Sequence, residues 1–470
     1  MPANRYGRLS SGGQRRRRRA PGGSRVLAVL ALLVLAGGII FGIYKGVGWV
    51  RAWVRDVMDD PVPTGQAGPT GEDVPETTED AADYSALIRA ADEKAVQYDY
   101  DGAIALLQQV DGYEKNEQLT AAISRLKTAR STLVKVDVNK VCHLSVRSLI
   151  ADAAAAFGSG DKETLAANYL TVQEFKAVLE KLYEGGWVLV DIHDMAHADA
   201  NGYFVSGTIL LPKDKKAFVL SVEDMVYYET YAWKGFADRL ILDEEGNPKS
   251  EMKKIDGTTV VGDLDVVPLV ESFIRQHPDF SYKGARGIIA LTGYDGILGY
   301  RTAPKYGDPT NKDYKPSYAD IDPEEERTEA RRTAARLKEL GWCFASHSWG
   351  HINMAKAAMD RIEDDTARWK EQVVPLIGDA DIIFFDNGAD IGSWRAYSAE
   401  TNEKFAYLKS EGFSYYCGVD LTTIPWVQLS TSAAYLRQGR VTLNGTQLTR
   451  YPERLEPFFD AAAVRDKARP

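Results

Sequence analysis

Downstream of residue 138, short apolar runs alternate along the chain with amphipathic segments. The apolar runs lack the polar alternation of a half-exposed strand, so they predict strands buried on both faces, at 217–222, 287–291, 342–345, 381–385 and 413–419. Between them, apolar residues recur at helical spacing and predict helices at 171–183, 264–276, 323–340, 353–377 and 399–410. Buried strands that alternate with helices favour a parallel sheet covered by helices. Roughly 330 residues of such units, closed on themselves, would form a (β/α) barrel with functional residues at the carboxyl ends of its strands.

Two of these helices carry clear start signals. Thr171 and Glu174 form the pattern of a capping box, in which each side chain bonds the backbone N–H of the other residue. Asp322 followed by Pro323 is the pattern of an N-cap residue with proline in the first helical position. Both helices are therefore expected to begin at these residues.

Residues 83–137 have a different, purely helical pattern. Leu87, Ile88 and Ala91 share one helical face, and the segment 99–104 ends that helix and begins the next. The arrangement is similar to about one and a half tetratricopeptide units, fewer than a free-standing solenoid needs. We interpret the segment as a helical, TPR-like spacer packed on its neighbour, with a binding site for a protein partner as the alternative.

The first 82 residues predict a membrane anchor. Residues 26–44 contain no charge and would span about 29 Å as a helix, close to the thickness of a bilayer core. Eight arginines and no acid precede this run, so we predict a basic cytoplasmic tail at 1–25 and a transmembrane signal-anchor helix at 26–50. Residues 51–82, rich in proline, glycine, threonine and acids, predict a disordered stalk. The chain is then a single-pass membrane protein with its main body extracellular; a cleaved signal peptide is the alternative, without a clear small-x-small cleavage motif.

Charge and cysteine content narrow the classes of function. The net charge of the chain is -10, and the arginine-rich start contributes +8, so residues 26–470 carry -18. An acidic main body argues against nucleic acid as a partner. The three cysteines, Cys142, Cys343 and Cys417, lie in apolar stretches and are expected to be small buried residues without a disulfide framework.

The candidate chemistry lies at the ends of two predicted strands. His347 and His351 are four residues apart, so if the segment coils, both imidazoles face one point. Two imidazoles and a carboxylate such as Asp224, after the strand 217–222, form a zinc-type ligand set with open positions. The alternatives are hydrogen-bonded structural histidines and a loop role for the acids. The other histidines are expected at surface or core positions: His143, His193, His197 and His277.

The stretch Leu220-Ser221-Val222-Glu223-Asp224, followed by His347-Ser348-Trp349-Gly350-His351, resembles the first two motifs of the NodB-homology polysaccharide deacetylases (carbohydrate esterase family four). Residues 179–190 are similar to the helix and strand before the first motif, and the resemblance covers about 140–450. It implies a distorted (β/α) barrel over 138–470. It also implies that Asp224, His347 and His351 bind a divalent metal, zinc above all, and that Glu223 is the catalytic base beside Asp224. The implied reaction is hydrolysis of N-acetyl groups of cell-wall or surface polysaccharide, peptidoglycan included, outside the membrane.

Three departures from the family pattern bear on activity. Glu223 stands where the family usually has aspartate, and 384–388 replaces the third motif without its arginine. No histidine follows His351, so the late general acid of the family is missing. The alternative function is therefore a catalytically impaired relative that acts as a glycan-binding module. An iron oxygenase with two histidines and one carboxylate is disfavoured, because that centre belongs to an antiparallel barrel.

Four further residues are expected to bind substrate. The backbone at Asn387 and Gly388 is expected to contribute to an oxyanion site. Trp426 is expected to line the acetyl pocket, by its place in the resemblance. Tyr227 belongs to an aromatic cluster after Asp224 that is suited to stacking on a sugar ring, with core packing as the alternative.

Overall fold

A closed barrel of seven parallel strands forms the centre of the computed structural model, which describes residues 83–470. The barrel strands, in chain order, are β1 (Cys142–Arg147), β2 (Lys216–Glu223), β3 (Ile288–Leu291), β4 (Cys343–Ser346), β5 (Ile382–Phe384), β6 (Tyr415–Val419) and β7 (Tyr435–Thr442). Each strand pairs in parallel with the next one along the chain. Parallel pairing of β7 with β1 then closes the barrel.

Helices cover the outside of the barrel. Apolar residues of these helices, such as Val178, Val270 and Leu337, pack in one core cluster with outward residues of the strands, such as Phe218 and Ile289. The α-helices that follow β1 in the chain are Ala153–Gly158, Lys162–Asn168, Val172–Glu184, Ile192–Met195, Val266–Gln276, Pro323–Leu340, Met359–Gln372, Val374–Ile377, Glu403–Ser410, Gly445–Arg450 and Ala461–Val464.

The predicted (β/α) barrel is confirmed, and each of the five predicted strands overlaps an observed barrel strand. The capping box at Thr171 and the proline-initiated helix after Asp322 are also present. The predicted helix 353–377 is wrong in its extent, because residues before Met359 form a loop and the chain breaks again at Val373. Strands β1 and β7 were absent from the predicted strands. In β7, Arg437, Gln438 and Arg440 interrupt the apolar pattern.

Short additional strands, all antiparallel except Trp187–Leu189, lie around the barrel. Arg239–Leu242, Pro248–Lys253 and Thr259–Gly262 form a three-stranded sheet between β2 and β3, and Ala196–Ala198 pairs with Phe204–Ser206. Trp187–Leu189 extends the sheet beside the amino half of β2, and Val427–Ser430 pairs with β7. The remaining short pair joins Val134–Lys135 to Leu210–Leu211. These additions make the barrel a distorted one.

Side chains that alternate along the strands fill the barrel interior. An apolar cluster there contains Val219, Ala345 and Phe384. A polar layer adjoins it, in which buried His143 contacts Ser221 Oγ at 2.9 Å and Gln438 Oε1 at 3.1 Å. His143 is therefore a hydrogen-bonded core residue, and the inward positions nearer the carboxyl ends of the strands remain for the candidate site.

Three helices precede the barrel and have a small core of their own: Ser85–Val96, Tyr100–Leu107 and Glu117–Ser131. As predicted, the first helix ends before Asp99, whose side chain caps the second. Tyr98 fastens the segment to the barrel unit, because its hydroxyl donates to Asp279 O at 2.9 Å and its ring stacks on Tyr282. The helical segment thus packs on its neighbour.

The predicted basic tail, anchor helix and stalk, at 1–25, 26–50 and 51–82, lie outside the described residues. Within 83–470, no helix combines the length and the apolar character needed to cross a bilayer.

Candidate metal centre

The carboxyl ends of three barrel strands bring the candidate residues together. Glu223 is the last residue of β2, and Asp224 follows it. His347 follows β4, and Asp386 lies two residues beyond the end of β5. Because parallel strands all end at the same mouth of the barrel, residues far apart in the sequence become neighbours there.

Asp224, His347 and His351 form one cluster of possible metal ligands. One ligand atom from each residue lies within 4.8 Å of the others. Asp224 Oδ1 is 3.9 Å from His347 Nε2 and 3.6 Å from His351 Nε2. The two imidazole rings lie 4.9 Å apart between centroids. The sequence-predicted ligands are therefore adjacent in space.

His347 has one nitrogen engaged and one available. The residue is fully buried, and its Nδ1 lies 3.2 Å from Phe384 O, a contact that requires the proton on Nδ1. Nε2 then carries the lone pair, and it has no hydrogen-bond partner among residues 83–470. A buried, unpartnered lone pair is the arrangement that a metal ligand has before the ion binds.

The two histidines converge through a loop and not through the helical turn that their spacing suggested. Residues 347–351 are irregular, and Ser348 and His351 adopt left-handed φ angles of 58° and 54°. Asp365, fully buried in the helix Met359–Gln372, accepts hydrogen bonds from Trp349 N at 2.7 Å and Gly350 N at 2.8 Å. This one carboxylate holds the loop in the shape that turns His351 back toward His347.

Asp386 adds a fourth polar group to the cluster. Its Oδ1 lies 2.7 Å from His351 Nε2, yet neither atom has a hydrogen-bond partner of acceptable geometry among the described residues. Asn387 Nδ2 donates to the other carboxylate oxygen at 2.8 Å. At 2.7 Å these two atoms are closer than two ligands of one ion would be, so a bound cation would have to separate them. The donor set of two imidazoles and carboxylates suits a divalent metal.

Asp224 is held in its ionised form. Burial works against the charge, but His347, Arg147, His351 and the Tyr228 hydroxyl outweigh it and lower the pKa of Asp224 below its usual value. Tyr228 Oη donates to Asp224 Oδ1 at 2.9 Å, and Arg147 Nε lies 3.6 Å from Oδ2. Asp224 itself has a φ of 57°, which turns its side chain away from the strand direction of Glu223.

Glu223 is fixed by an arginine of β7, which is separated from β2 by β1 alone. Arg440 Nη1 of β7 donates to Glu223 Oε1, and both residues are buried. Arg440 also donates to Gly418 O at 3.1 Å and Phe385 O at 3.3 Å. Three strands of the barrel, β2, β6 and β7, therefore meet at this one guanidinium.

The structure places the four predicted substrate-binding residues differently from one another. Tyr227 is buried in the core cluster outside the barrel, and the neighbouring Tyr228 reaches the site instead. Asn387 is exposed above Asp386, and Gly388 N is already bonded to Phe385 O at 3.0 Å, so that amide is not free for an oxyanion. Trp426 is half-buried and lies over the guanidinium of buried Arg437, 4.9 Å from its ring centroid.

Sequence reasoning missed Asp386, Tyr228 and Arg440 as members of the site. Asp386 had a signal, since it is an acidic residue just beyond the carboxyl end of β5, as His347 lies just beyond that of β4. Arg440 had a weaker one, a charged residue inside an otherwise buried strand. Tyr228 could not be chosen over Tyr227, because positive φ angles at Asp224 and Tyr227 break the alternation of side chains.

A cleft of about 760 Å³ begins beside the histidine loop. Its aromatic walls include Trp349, Tyr294 and Tyr314, and Tyr294 stacks on Tyr228 at 5.5 Å between ring centroids. Its charged walls are mainly basic: Lys305, Lys312, Lys315, Arg361 and Arg368, against Asp313. The cleft therefore offers stacking surfaces and hydrogen-bond donors next to the cluster.

No family model matches the chain. No curated protein matches it by sequence. Among solved structures, a Streptococcus pyogenes deacetylase, PplD, in complex with acetate, aligns with 13% identity over 70% of this chain and 99% of its own, at a TM-score of 0.34.

We predict that His351→Ala removes one equivalent of bound zinc from the full-length protein, because it deletes one ligand of the cluster and leaves the fold intact. Equilibrium dialysis against zinc measures the bound metal. His197→Ala, an exposed histidine elsewhere, is the control and should keep the wild-type amount. Unchanged zinc in His351→Ala would contradict the assignment of this residue as a ligand.

Asp365→Ala is expected to lower the free energy of unfolding by about 1–3 kcal/mol, because it leaves two half-buried backbone N–H groups without an acceptor. It should also weaken zinc binding although Asp365 is not a ligand, since the loop loses its fixed shape. Urea unfolding and zinc titration measure the two effects. The adjacent Asp364→Ala is the control, because Asp364 forms only surface ion pairs worth about 0–1 kcal/mol. Equal behaviour of the two variants would show that Asp365 does not hold the loop.

Proposed function

We propose that the barrel, residues 138–470, hydrolyses N-acetyl amide groups of a polysaccharide with a divalent metal held by Asp224, His347 and His351. The observation that carries the proposal is the convergence of the ligand atoms of Asp224, His347 and His351 beside a buried carboxylate, Glu223, at the carboxyl-terminal mouth of a parallel barrel. The products would be acetate and a free amine on the sugar.

The residues around the cluster divide the work of amide hydrolysis. When bound, a cation such as zinc supplies Lewis-acid chemistry, which polarises a carbonyl and acidifies water. Glu223 takes the proton of the attacking water as general base. Arg440 keeps the Glu223 carboxylate in one orientation through its charge-assisted hydrogen bond. The Phe384 carbonyl orients His347 through its Nδ1, and Asp386 lies beside His351 Nε2 as a further carboxylate of the site.

The leaving amine also needs a proton. No histidine follows His351 in the sequence, so the chain lacks the late histidine acid that the resemblance would supply. We infer that Glu223 serves twice: it takes a proton from water as the C–O bond forms, and it returns that proton to the nitrogen as the C–N bond breaks. A single carboxylate close to both atoms can do this, because each transfer regenerates the state needed for the other.

The substrate we propose is a cell-wall or surface glycan, peptidoglycan included. Aromatic rings suit the faces of sugar rings, and the lysines and arginines of the cleft suit hydroxyl and anionic groups. We further propose that residues 26–50 anchor the chain in the membrane and hold the barrel outside, near such a glycan. The helical segment 83–137 would separate the barrel from the membrane. Its alternative role is to bind a protein partner.

The second candidate function is glycan binding without turnover. The absence of a histidine after His351 and the glutamate at position 223 favour it. In that case the metal cluster and cleft would bind an N-acetylated glycan, and acetate would not be released. The two functions differ in one measurable product.

We predict that the full-length protein, loaded with zinc, releases acetate from an N-acetylated oligosaccharide or peptidoglycan. Glu223→Gln should lower kcat by about 10²–10⁴-fold, because the amide keeps the contact with Arg440 but cannot accept a proton. Its bound zinc should equal that of the wild type, which is the internal control. Acetate release is measured enzymatically.

Three results would count against the deacetylase proposal. If Glu223→Gln released acetate at the wild-type rate, Glu223 would not be the general base. Glycan binding without acetate release would favour the binding module. If the protein neither binds the tested glycans nor releases acetate from them, both functions are excluded for those glycans.

The large cleft yields a separate prediction. Tyr314→Ala should raise KM for an oligosaccharide about two- to tenfold with kcat unchanged, because an aromatic contact remote from the reacting bond stabilises substrate and transition state alike. Steady-state kinetics separate the two constants. Tyr203→Ala, an exposed tyrosine that does not line the cleft, is the matched control. An unchanged KM in Tyr314→Ala would place the substrate elsewhere.

A further inference from the structure

A second cluster of metal-binding side chains lies at the opposite mouth of the barrel. Asp191, His193 and Cys343 each offer one ligand atom, and these atoms lie within 4.8 Å of one another. Cys343 is the first residue of β4, and His347 follows the last. At about 3.3 Å per strand residue, the two positions are about 13 Å apart, so the two clusters are separate sites.

The spacing of the three ligand atoms is close to that around a small cation. Cys343 Sγ lies 3.2 Å from Asp191 Oδ2 and 3.9 Å from His193 Nδ1. Tetrahedral zinc with its usual bond lengths places sulfur and nitrogen ligands about 3.5 Å apart. Asp191 Oδ1 and His193 Nδ1, at 2.7 Å, are closer than two ligands would be, so a hydrogen bond joins them that an ion would replace.

A carboxylate occupies the other side of the imidazole. Asp381 Oδ1, just before β5, lies 3.1 Å from His193 Nε2. Metal-binding histidines commonly donate their second N–H to such a carboxylate, which fixes the tautomer and orients the free nitrogen. Here that arrangement would direct Nδ1 toward Asp191 and Cys343.

The same contacts have a metal-free interpretation. Burial opposes the charged imidazolium, but hydrogen bonds to Asp191 and Asp381 outweigh it and raise the pKa of His193. Burial raises the pKa of the Cys343 thiol to about 11, so without a cation the thiol keeps its proton. The four side chains would then form a closed hydrogen-bond network. The two interpretations differ in what lies between His193 Nδ1, Asp191 and the Cys343 sulfur: protons in the first case and a metal ion in the second.

Access and donor type favour the ion. A cleft of about 580 Å³ reaches His193, Cys343 and Asp381, so an ion can enter and one coordination position stays open. A hydrogen-bond network gains little from a cysteine, because S–H is a weak donor. A thiolate with imidazole and carboxylate, in contrast, selects zinc-like ions over magnesium or calcium.

We propose that Asp191, His193 and Cys343 form a second transition-metal site of the zinc type, with Asp381 as the carboxylate that orients His193. The ion would join the segment that begins at Asp191 to β4 and so cross-link the amino-terminal mouth of the barrel. This function is independent of the deacetylase proposal.

Cobalt titration of the metal-free, full-length protein tests the proposal, because cobalt bound by a thiolate gives a near-ultraviolet charge-transfer band that imidazole and carboxylate ligands do not give. We expect the wild type to bind two cobalt ions and to show the band. Cys343→Ser should lose the band and one ion. His351→Ala should keep the band and lose the other ion. Cys142→Ser, a buried thiol elsewhere, should behave as the wild type.

His193→Gln is the second variant for the new site, in case Cys343→Ser does not fold; it should lose the same ion and the band. Far-ultraviolet circular dichroism verifies the fold of each variant. A wild type without the band, or a band that survives in both Cys343→Ser and His193→Gln, would overturn the proposal and leave a hydrogen-bond network. A wild type that shows the band but binds only one ion, with the same ion bound by His351→Ala, would contradict the first site and not this one.

Discussion

The buried ion pair of Glu223 and Arg440 is the interaction on which the site depends. Glu223 ends β2 and Arg440 lies in β7, so the pair spans the barrel interior across β1. Breaking such a pair by removing one partner costs about 3–5 kcal/mol, because the other charge stays buried. The further bonds of Arg440 to Gly418 O and Phe385 O tie the same guanidinium to the ends of β5 and β6. One side chain therefore fixes both the base and the strand ends that carry the other site residues.

The parts of this arrangement that local sequence controls were predictable. Buried strands separated by capped helices gave the barrel, and strand-end acids with a histidine pair gave Asp224, His347 and His351. The contribution of β7 was not predictable from hydrophobicity, because its inward residues Gln438 and Arg440 are polar. Their partners, His143 and Glu223, are distant in sequence, and only the closed barrel reveals that these polar groups satisfy one another.

Side-chain direction was the second feature that the sequence alone could not predict. The spacing of His347 and His351 matches a helical turn, but the loop reaches the same convergence with two left-handed residues and the Asp365 carboxylate. The same kind of backbone reversal at Asp224 and Tyr227 brings Tyr228 to the site in place of Tyr227. Residue spacing predicts direction only while the backbone keeps one regular conformation, and functional loops at strand ends are where it does not.

The barrel geometry also explains how one strand can carry two polar clusters without conflict between them. Cys343 and His347 lie at opposite ends of β4, and Ala345 lies between them on the same inward face. In β5, Ile382 and Phe384 likewise separate Asp381 from Asp386. This apolar layer keeps the charges of the two clusters apart, so substitutions in one should have effects on stability that add to those in the other. Energetic coupling between the two clusters would require the strands to move relative to one another. The closed hydrogen-bonded barrel of seven strands resists such movement.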